Sequence, residues 1–409
     1  SFSPCRRPRM PANELPVLWR PYQSVLRPPN FYRSGQSAAA FNGSSILFFG
    51  GCAHGQCHND LMVLKTPSFP SPQTWVHARA VDFSGAPGGP SPRQGALMAV
   101  LGRWAWLIGG SGGDLTIDAY KLDLAPHPPR EDGALVWLRP SIVGRPPPAA
   151  EHVSGAWMGS SVFTVGGCGR AGCHLAVHAL DTTVQHGRHA WQQLQLVGGA
   201  AAPAPAPRGG HCVVASAALG GLLVHGGCDR QRCYEDTWLL ELAGDAYNPD
   251  NKTVAEARWR QLQPQPQSRG GRPSLSHGAV TGGVRGHACV AHGSWLVVHG
   301  GCDLAGRCSS DVRVLEVERT TTTGKAPHGA LGALGGTVGA SGALRGAGSA
   351  FGDVNASLTA RWLAVRVEGA APRPRAFHVA IALDFLPDSP RDGGAGSTGG
   401  GGGNGGGIG

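Results

Sequence analysis

Ile46-Leu47-Phe48-Phe49-Gly50-Gly51 is an apolar run that stops on two glycines, and the fold is read from it. The same run returns as Trp106-Leu107-Ile108-Gly109-Gly110 and as Val162-Phe163-Thr164-Val165-Gly166-Gly167. It returns again as Leu222-Leu223-Val224-His225-Gly226-Gly227 and as Leu296-Val297-Val298-His299-Gly300-Gly301. A glycine pair at the end of a strand permits a bulge, or positive φ where backbones crowd together. Recurrence at this spacing makes the repeat the first feature to explain.

Each run has the same neighbours. Upstream lies a Pro-rich turn and a strand opened by an Arg-x-Gly-like start, as in Arg33-Ser34-Gly35-Gln36 and Arg208-Gly209-Gly210-His211. Downstream lies an alternating strand, such as Asp60-Leu61-Met62-Val63-Leu64 or Asp236-Thr237-Trp238-Leu239-Leu240. A Trp-bearing strand closes each unit, at Trp75, Trp137, Trp191, Trp259 and Trp362. Four short strands per unit is the content of a propeller blade, so an all-β propeller of four-stranded blades is expected. First-strand starts at 33, 93, 149, 208, 284 and 375 set the period.

These residues resemble the Kelch repeat, whose signature is a diglycine after a hydrophobic strand with a Trp later in the blade. The resemblance covers residues 15 to 385. It departs from the family in lacking most of the Tyr residues before the Trp, and in placing Ala149 where Arg is expected. At the N-terminus, Leu15-Pro16-Val17-Leu18-Trp19-Arg20 reads as a lone fourth strand. At the other end, Arg375-Ala376-Phe377-His378-Val379-Ala380-Ile381 reads as a lone first strand. Joining them would add a partial sixth blade, lacking its middle strands, to five near-complete ones and would protect the open edges. The expected organisation is an irregular leader over 1–14, the propeller over 15–386 with a low-complexity insertion at 319–358, and a Gly-rich disordered tail over 387–409. The chain starts Ser1-Phe2-Ser3 and reads as a fragment that continues beyond the tail.

Composition agrees with many short strands and turns, since Gly numbers 65 and Pro 32 in 409 residues. No apolar run is long enough to span a bilayer as a helix. The formal charge of +9 is almost all Arg and is scattered, without a basic stripe interleaved with aromatics. Nucleic acid is therefore not expected as a partner.

Cysteines repeat with the blades. Cys52/Cys57, Cys168/Cys173 and Cys228/Cys233 are Cys-x4-Cys pairs and Cys302/Cys308 is Cys-x5-Cys, each starting directly after a diglycine. Each pair brackets the loop between second and third strands, where a tight turn could bring Cα atoms to disulfide distance. Disulfides are the favoured reading, ahead of free thiols packed as small hydrophobes. Metal sites come last, because each loop supplies only two thiols with His54, His58 or His174 nearby. Cys5, Cys212 and Cys289 are left over, the last two in first strands. Three N-glycosylation triplets at Asn42, Asn251 and Asn355 join the Cys pairs in favouring an extracellular or luminal setting over a cytoplasmic one.

No catalytic constellation is evident. His152, His211, His287 and His378 share a first-strand register, and a residue repeated in every blade packs or bonds rather than catalyses. His225 and His299 precede diglycines and read the same way. Asp60, Asp236 and Asp311 open third strands and are expected to cap the turn before them. Some propellers with Kelch-like blades are copper radical oxidases, but the chain has only five Tyr and no Tyr-x-x-His arrangement. The expectation is a non-enzymatic scaffold without cofactor or metal, binding a protein partner through one face. Candidate partner-binding residues on the Cys-bracketed loops are His54, Gln56, His58, Arg170, Arg230, Arg232 and Arg307, and their Arg side chains suit carboxylates. A secreted glycan-binding or oxidase-like propeller is the alternative.

Overall fold

A computed structural model describes residues 14–19, 33–41, 43–66, 74–82, 84–86, 88–112, 115–126, 131–185, 188–198, 202–242, 256–265, 282–320, 357–369 and 372–381. The described residues are all-β and form a propeller of five blades. Blade I comprises Ser37–Phe41, Ser45–Phe49, Leu61–Lys65 and Thr74–Ala78. Blade II comprises Leu97–Leu101, Trp104–Ser111, Leu115–Asp123 and Leu135–Leu138. Blade III comprises Gly155–Met158, Ser161–Gly169, Gly172–Gln185 and Arg188–Gln193. Blade IV comprises Cys212–Ser216, Gly221–His225, Thr237–Leu242 and Glu256–Leu262. Blade V comprises Ala288–His292, Trp295–His299, Val312–Thr320 and Ser357–Glu368.

Within each blade these strands are antiparallel neighbours in sequence order, yet four of the sheets are wider than expected. After each outer strand the chain runs on beside the outer strand of the next blade. There it adds a short parallel strand: Ala80–Val81 on blade II, Ile142–Gly144 on III, Gln195–Leu196 on IV and Pro264–Gln265 on V. Apolar clusters fill each interface between successive blades, from Leu47, Leu107 and Trp137 between I and II to Leu223, Leu296 and Leu315 between IV and V. Trp106, with Val162 and Leu180, is buried between II and III.

The diglycines fall at one position, the end of the second strand, and all ten glycines have positive φ. In blades II and III the antiparallel register slips there as a bulge. In blades I, III and IV the N–H of the second glycine reaches the next blade. Gly51 N–H donates to Arg93 O at 2.9 Å, Gly167 to Arg208 O at 2.9 Å and Gly227 to Val284 O at 2.9 Å. A Cβ on Gly227 would stand 2.6 Å from His211 Cβ and 3.0 Å from Gly209 O, so no other residue fits.

The opening arginines are buried pins. Arg33, Arg93 and Arg208 donate to the carbonyls of Gly50, Gly109 and Gly226 at 3.1, 2.9 and 3.1 Å. Each also forks onto a carboxylate, that of Asp60 or Asp236 just before a third strand or of Asp118 within one. Asp60 and Asp236 are therefore ion-pair partners rather than the turn caps expected of them. Burial raises the pKa of both, but the hydrogen bonds and charge of Arg33 and Arg208 outweigh it and hold both carboxyls below the usual range. In blades III and V the pin is absent: Glu151 N–H bonding Cys168 O places Ala150, not Ala149, at the Arg position, and Arg285 N–H bonding Cys302 O places Val284 there.

The termini depart from expectation. Glu14–Leu18 joins the sheet of blade V, parallel to Ala364–Glu368, and Trp19 N–H donates to Glu368 O. Arg375–Ile381 forms no strand and does not pair with Glu14–Leu18. It bridges blades V and I instead, with Phe377 N–H donating to Gly286 O at 2.6 Å and Gly35 N–H to Phe377 O at 2.9 Å. The tail 387–409, residues 321–356 of the insertion expected at 319–358 and residues 1–13 of the leader expected at 1–14 lie outside the described residues, while Glu14 and the insertion's ends, 319–320 and 357–358, are strand.

A buried guanidinium deprived of its carboxylate is costly. Asp236→Asn leaves Arg208, 1% exposed, without its counter-charge. The loss should be about 3 kcal/mol in urea unfolding. Asp303→Asn, whose partner Arg307 is exposed, should cost under about 1 kcal/mol. Equal losses would contradict the pinning role.

Candidate functional site at the axial mouth

The first strands converge on the ring axis, and the residue two after the pin position lies nearest to it. Gly35, Gly95, Gly210 and Gly286 stand there with φ of +65°, +64°, +64° and +67°. Gly95 N–H donates to Gly35 O at 2.7 Å and Gly286 N–H to Gly210 O at 2.8 Å, so backbone encircles the axis. Two positions carry rings instead. Phe377 adopts the glycine-like φ of +54°, and its ring stacks on His152 at 4.4 Å and 20°. The stack floors a cavity of about 420 Å³ on the face that carries the Cys-bracketed loops.

His152 is thus one position out of the register expected for it. His211 and His287 stand one residue further on, where Nε2 bonds Val165 O at 2.9 Å and His225 O at 3.1 Å, each in the preceding blade. His378 does the same with His299 Nδ1 at 2.7 Å. These three are inter-blade struts. Burial lowers their pKa values to about 3 for His211 and about 4 for His287 and His378.

The Cys-bracketed loops are closed by disulfides. Cys52–Cys57, Cys168–Cys173, Cys228–Cys233 and Cys302–Cys308 have Cα separations of 4.0, 3.9, 3.9 and 3.9 Å. These lie inside the usual lower limit of about 4.4 Å, because each pair is a direct cross-strand neighbour at the foot of a tight turn. Closing so short a loop stabilises by only about 2 kcal/mol per bridge. A fifth disulfide, Cys212–Cys289, joins the first strands of blades IV and V with Cα atoms 6.0 Å apart. His287 lies beside those sulfurs, but sulfurs bonded to each other offer a metal no thiolate.

The expected binding residues are only partly gathered. Arg230 lines the cavity and donates to Arg170 O at 3.1 Å, which brings blades III and IV together at the mouth. Arg232 lies over the Tyr234 ring of its own loop at 4.8 Å, and Arg307 pairs with Asp303 at 2.7 Å. His54, at φ +51°, and Gln56 are exposed at the tip of the blade I hairpin. His58 serves through its backbone, between Gly51 O and Arg93 N–H. Asp229 accepts from the Tyr234 hydroxyl and from the N–H groups of Arg232 and Gln231, which hold its pKa down to about 2.

Sequence reasoning missed Arg285, Glu151, His152 and Phe377 at the mouth. Glu151 and Arg285 are exposed. A signal was present: both follow the pin position, at the register of Ser34 and Gly209, and Phe377 replaces its glycine. A second cavity, of about 460 Å³, lies on blade II, where Arg139 and Arg93 flank the Tyr120 ring at 5.4 and 5.8 Å.

No family model matches the chain. It is similar to three proteins of Arabidopsis thaliana. It is 36% identical to the serine/threonine-protein phosphatase BSL2 over 32% of this chain and 11% of that one. It is 29% identical to Adagio protein 3 over 47% and 26%. It is 31% identical to acyl-CoA-binding domain-containing protein 4 over 37% and 20%. The matches thus span about a quarter or less of those relatives. Among solved structures, YjhT aligns with 70% of this chain and 82% of its own, at TM-score 0.47 and 15% identity.

The buried histidines make stability depend on pH. Their folded pKa values lie below the unfolded value of about 6.5, so as pH falls through 6.5 the unfolded chain takes up protons that the folded ring refuses. Stability should be level above pH 7.5 and fall by about 2 kcal/mol per histidine by pH 5. His211→Gln, which keeps a donor to Val165 O, should flatten the profile of the denaturation midpoint between pH 6.5 and 5. An unchanged slope would refute the assignment.

Proposed function

We propose that the chain is a non-enzymatic binding propeller of Kelch type that engages a protein partner through the face of the disulfide-closed loops, centred on the axial mouth. The ring on this reading has six positions, the sixth marked by Arg375–Ile381 inside and Glu14–Trp19 outside. Arg230 and Arg285 on the mouth carry the reading. Both are exposed, and among the described residues neither is paired with a carboxylate. Two forked donors above an aromatic floor suit a segment bearing Asp or Glu, and shortened, cross-linked loops lose little entropy on binding it.

Support for an enzyme is lacking at this site. The titratable groups of the mouth are Glu151, His152 and Asp229. His152 has its ring covered by Phe377 and its pKa lowered by burial, and Asp229 is fully engaged within its own loop. The glycan reading fares less well for a related reason. A sugar needs an open aromatic face, and the aromatic lining the mouth, Phe377, is already stacked. In the blade II cavity the ring of Tyr120 is flanked by Arg93 and Arg139.

An array of random heptapeptides tests the proposal. The chain should retain peptides rich in Asp and Glu, and retention should fall steeply with salt. Arg230→Glu with Arg285→Glu should weaken that retention by a hundredfold or so, about 1.4 kcal/mol for each tenfold, without moving the melting temperature. Arg232→Glu with Arg307→Glu, both engaged in their own loops, should weaken it far less. Equal retention by the Arg230/Arg285 variant removes the basis for the mouth as the site.

A further inference from the structure

The first strands of blades IV and V are joined by more than packing. In blades I and III the residue four after the pin position is a serine whose hydroxyl reaches the next first strand. Ser37 Oγ donates to Ala96 O at 2.7 Å and Ser154 Oγ to His211 O at 2.8 Å. Blade IV carries Cys212 at that register, and its sulfur meets Cys289 of blade V, with Cα atoms 6.0 Å apart. The register thus bridges two blades, and in blade IV the bridging atom is sulfur. His287, the strut of the same joint, stands beside the bridge: one of its ring nitrogens and the two sulfurs lie within 4.8 Å of one another. Among the described residues none of the four loop disulfides belongs to such a trio.

His287 is oriented as a ligand. It is 6% exposed. Its Nε2 bonds His225 O at 3.1 Å, and a carbonyl only accepts, so the proton sits on Nε2 and the lone pair on Nδ1. That Nδ1 is buried and has no hydrogen-bond partner among the described residues. An imidazole held by a carbonyl through its far N–H, with the other nitrogen left open, is the usual posture of a metal-binding histidine. The joint of blades III and IV supplies the contrast. There His211 makes the same bond to Val165 O, but Ser154 stands at the register of Cys212 and Val213 at that of Cys289. One joint has two sulfurs where the other has an oxygen and a hydrocarbon.

We propose that Cys212, Cys289 and Nδ1 of His287 bind one zinc ion when the disulfide between the cysteines is reduced. The reduction is a two-electron exchange with a dithiol. The Cys212–Cys289 bond breaks, each sulfur gains a proton, and the dithiol closes into its own disulfide. Zinc then displaces both thiol protons to solvent, while neutral His287 gives a lone pair and loses no proton. Sulfur and nitrogen donors on one tetrahedral zinc stand about 3.5 to 3.8 Å apart, within the 4.8 Å that spans the three groups here. Two thiolates and an imidazole suit zinc and not magnesium or calcium, and with three protein ligands the fourth position goes to water. Cys212 is half-buried, which gives a small reductant access. Blades IV and V are then cross-linked through the same two side chains in both states, by a covalent bond when oxidised and by an ion when reduced. None of the three residues lines the axial mouth, so the zinc site is independent of the partner-binding reading.

The test counts zinc. The full chain is reduced with dithiothreitol without oxygen, freed of the reductant, given zinc sulfate and gel-filtered. It should keep one zinc ion more than the Cys212→Ser/Cys289→Ser variant treated alike, since the loop cysteines contribute equally to both. The oxidised chain should keep none. His287→Gln, which retains an amide N–H for His225 O but no imidazole, should weaken zinc binding at least tenfold in competition with a chromophoric chelator. His211→Gln, the same change at the neighbouring joint, should leave it unaltered, and this pair decides the matter if the cysteine variant does not fold. Zinc retention by the reduced chain no greater than by the cysteine variant overturns the site. So does equal affinity in the His287 and His211 variants. Zinc held by the oxidised chain overturns the dependence on reduction.

Discussion

Everything in this ring hangs on a hydrogen bond that only glycine permits. The second glycine of a diglycine gives its N–H to the carbonyl that opens the next blade, while a Cβ on the first would strike that same carbonyl, as at Gly50, 2.5 Å from Arg93 O, and a Cβ on the second would strike the first strand of its own blade. That bond fixes how closely successive blades approach. The pin arginine fixes the angle, because its guanidinium ties the first glycine's carbonyl to the Asp of the third strand within one blade. Such a buried pair adds little net stability, but removing one member is costly. The pair therefore acts as a geometric constraint, and the apolar clusters between blades supply the burial that stabilises the ring.

The same constraint builds the mouth. Holding each first strand by its opening residue brings the residue two further on to the axis, where glycine backbone leaves room. Where blade III loses the pin and Phe377 replaces a glycine, two rings occupy that room and stack. The residue between pin and glycine then faces the mouth, and it adds to the charge that Asp229 and Arg230 of the blade IV loop bring there. Arg285 and Glu151 are that residue in blades V and III.

Fold and loops were legible because they repeat. The diglycines, the closing Trp residues and the Cys pairs each recur at one register, and recurrence needs no long-range information. What could not be read depended on contacts between distant residues. Asp60 and Asp236 looked like turn caps because the arginines that hold them lie 27 and 28 residues away. Cys212–Cys289 spans 77 residues, and only a correct alignment of first strands would bring the two sulfurs together. His152 was misplaced for the converse reason: the weak opening of blade III, without Arg, hid a shift of one residue. Arg232 and Arg307 look like free cations in sequence, yet Tyr234 and Asp303 of their own loops engage them.

The most direct test is amide hydrogen exchange at Gly51, Gly167 and Gly227, whose N–H groups cross from one blade to the next. A ring held at these joints opens there only when it opens as a whole, so the three amides should exchange with the slowest class, at the rate set by global unfolding. They should remain slow when the disulfides of the loops are reduced, since the joint does not depend on them. Fast exchange at these glycines, with the strand amides on either side still protected, would show that the blades stand by themselves and that the inter-blade bond is not what orders the ring.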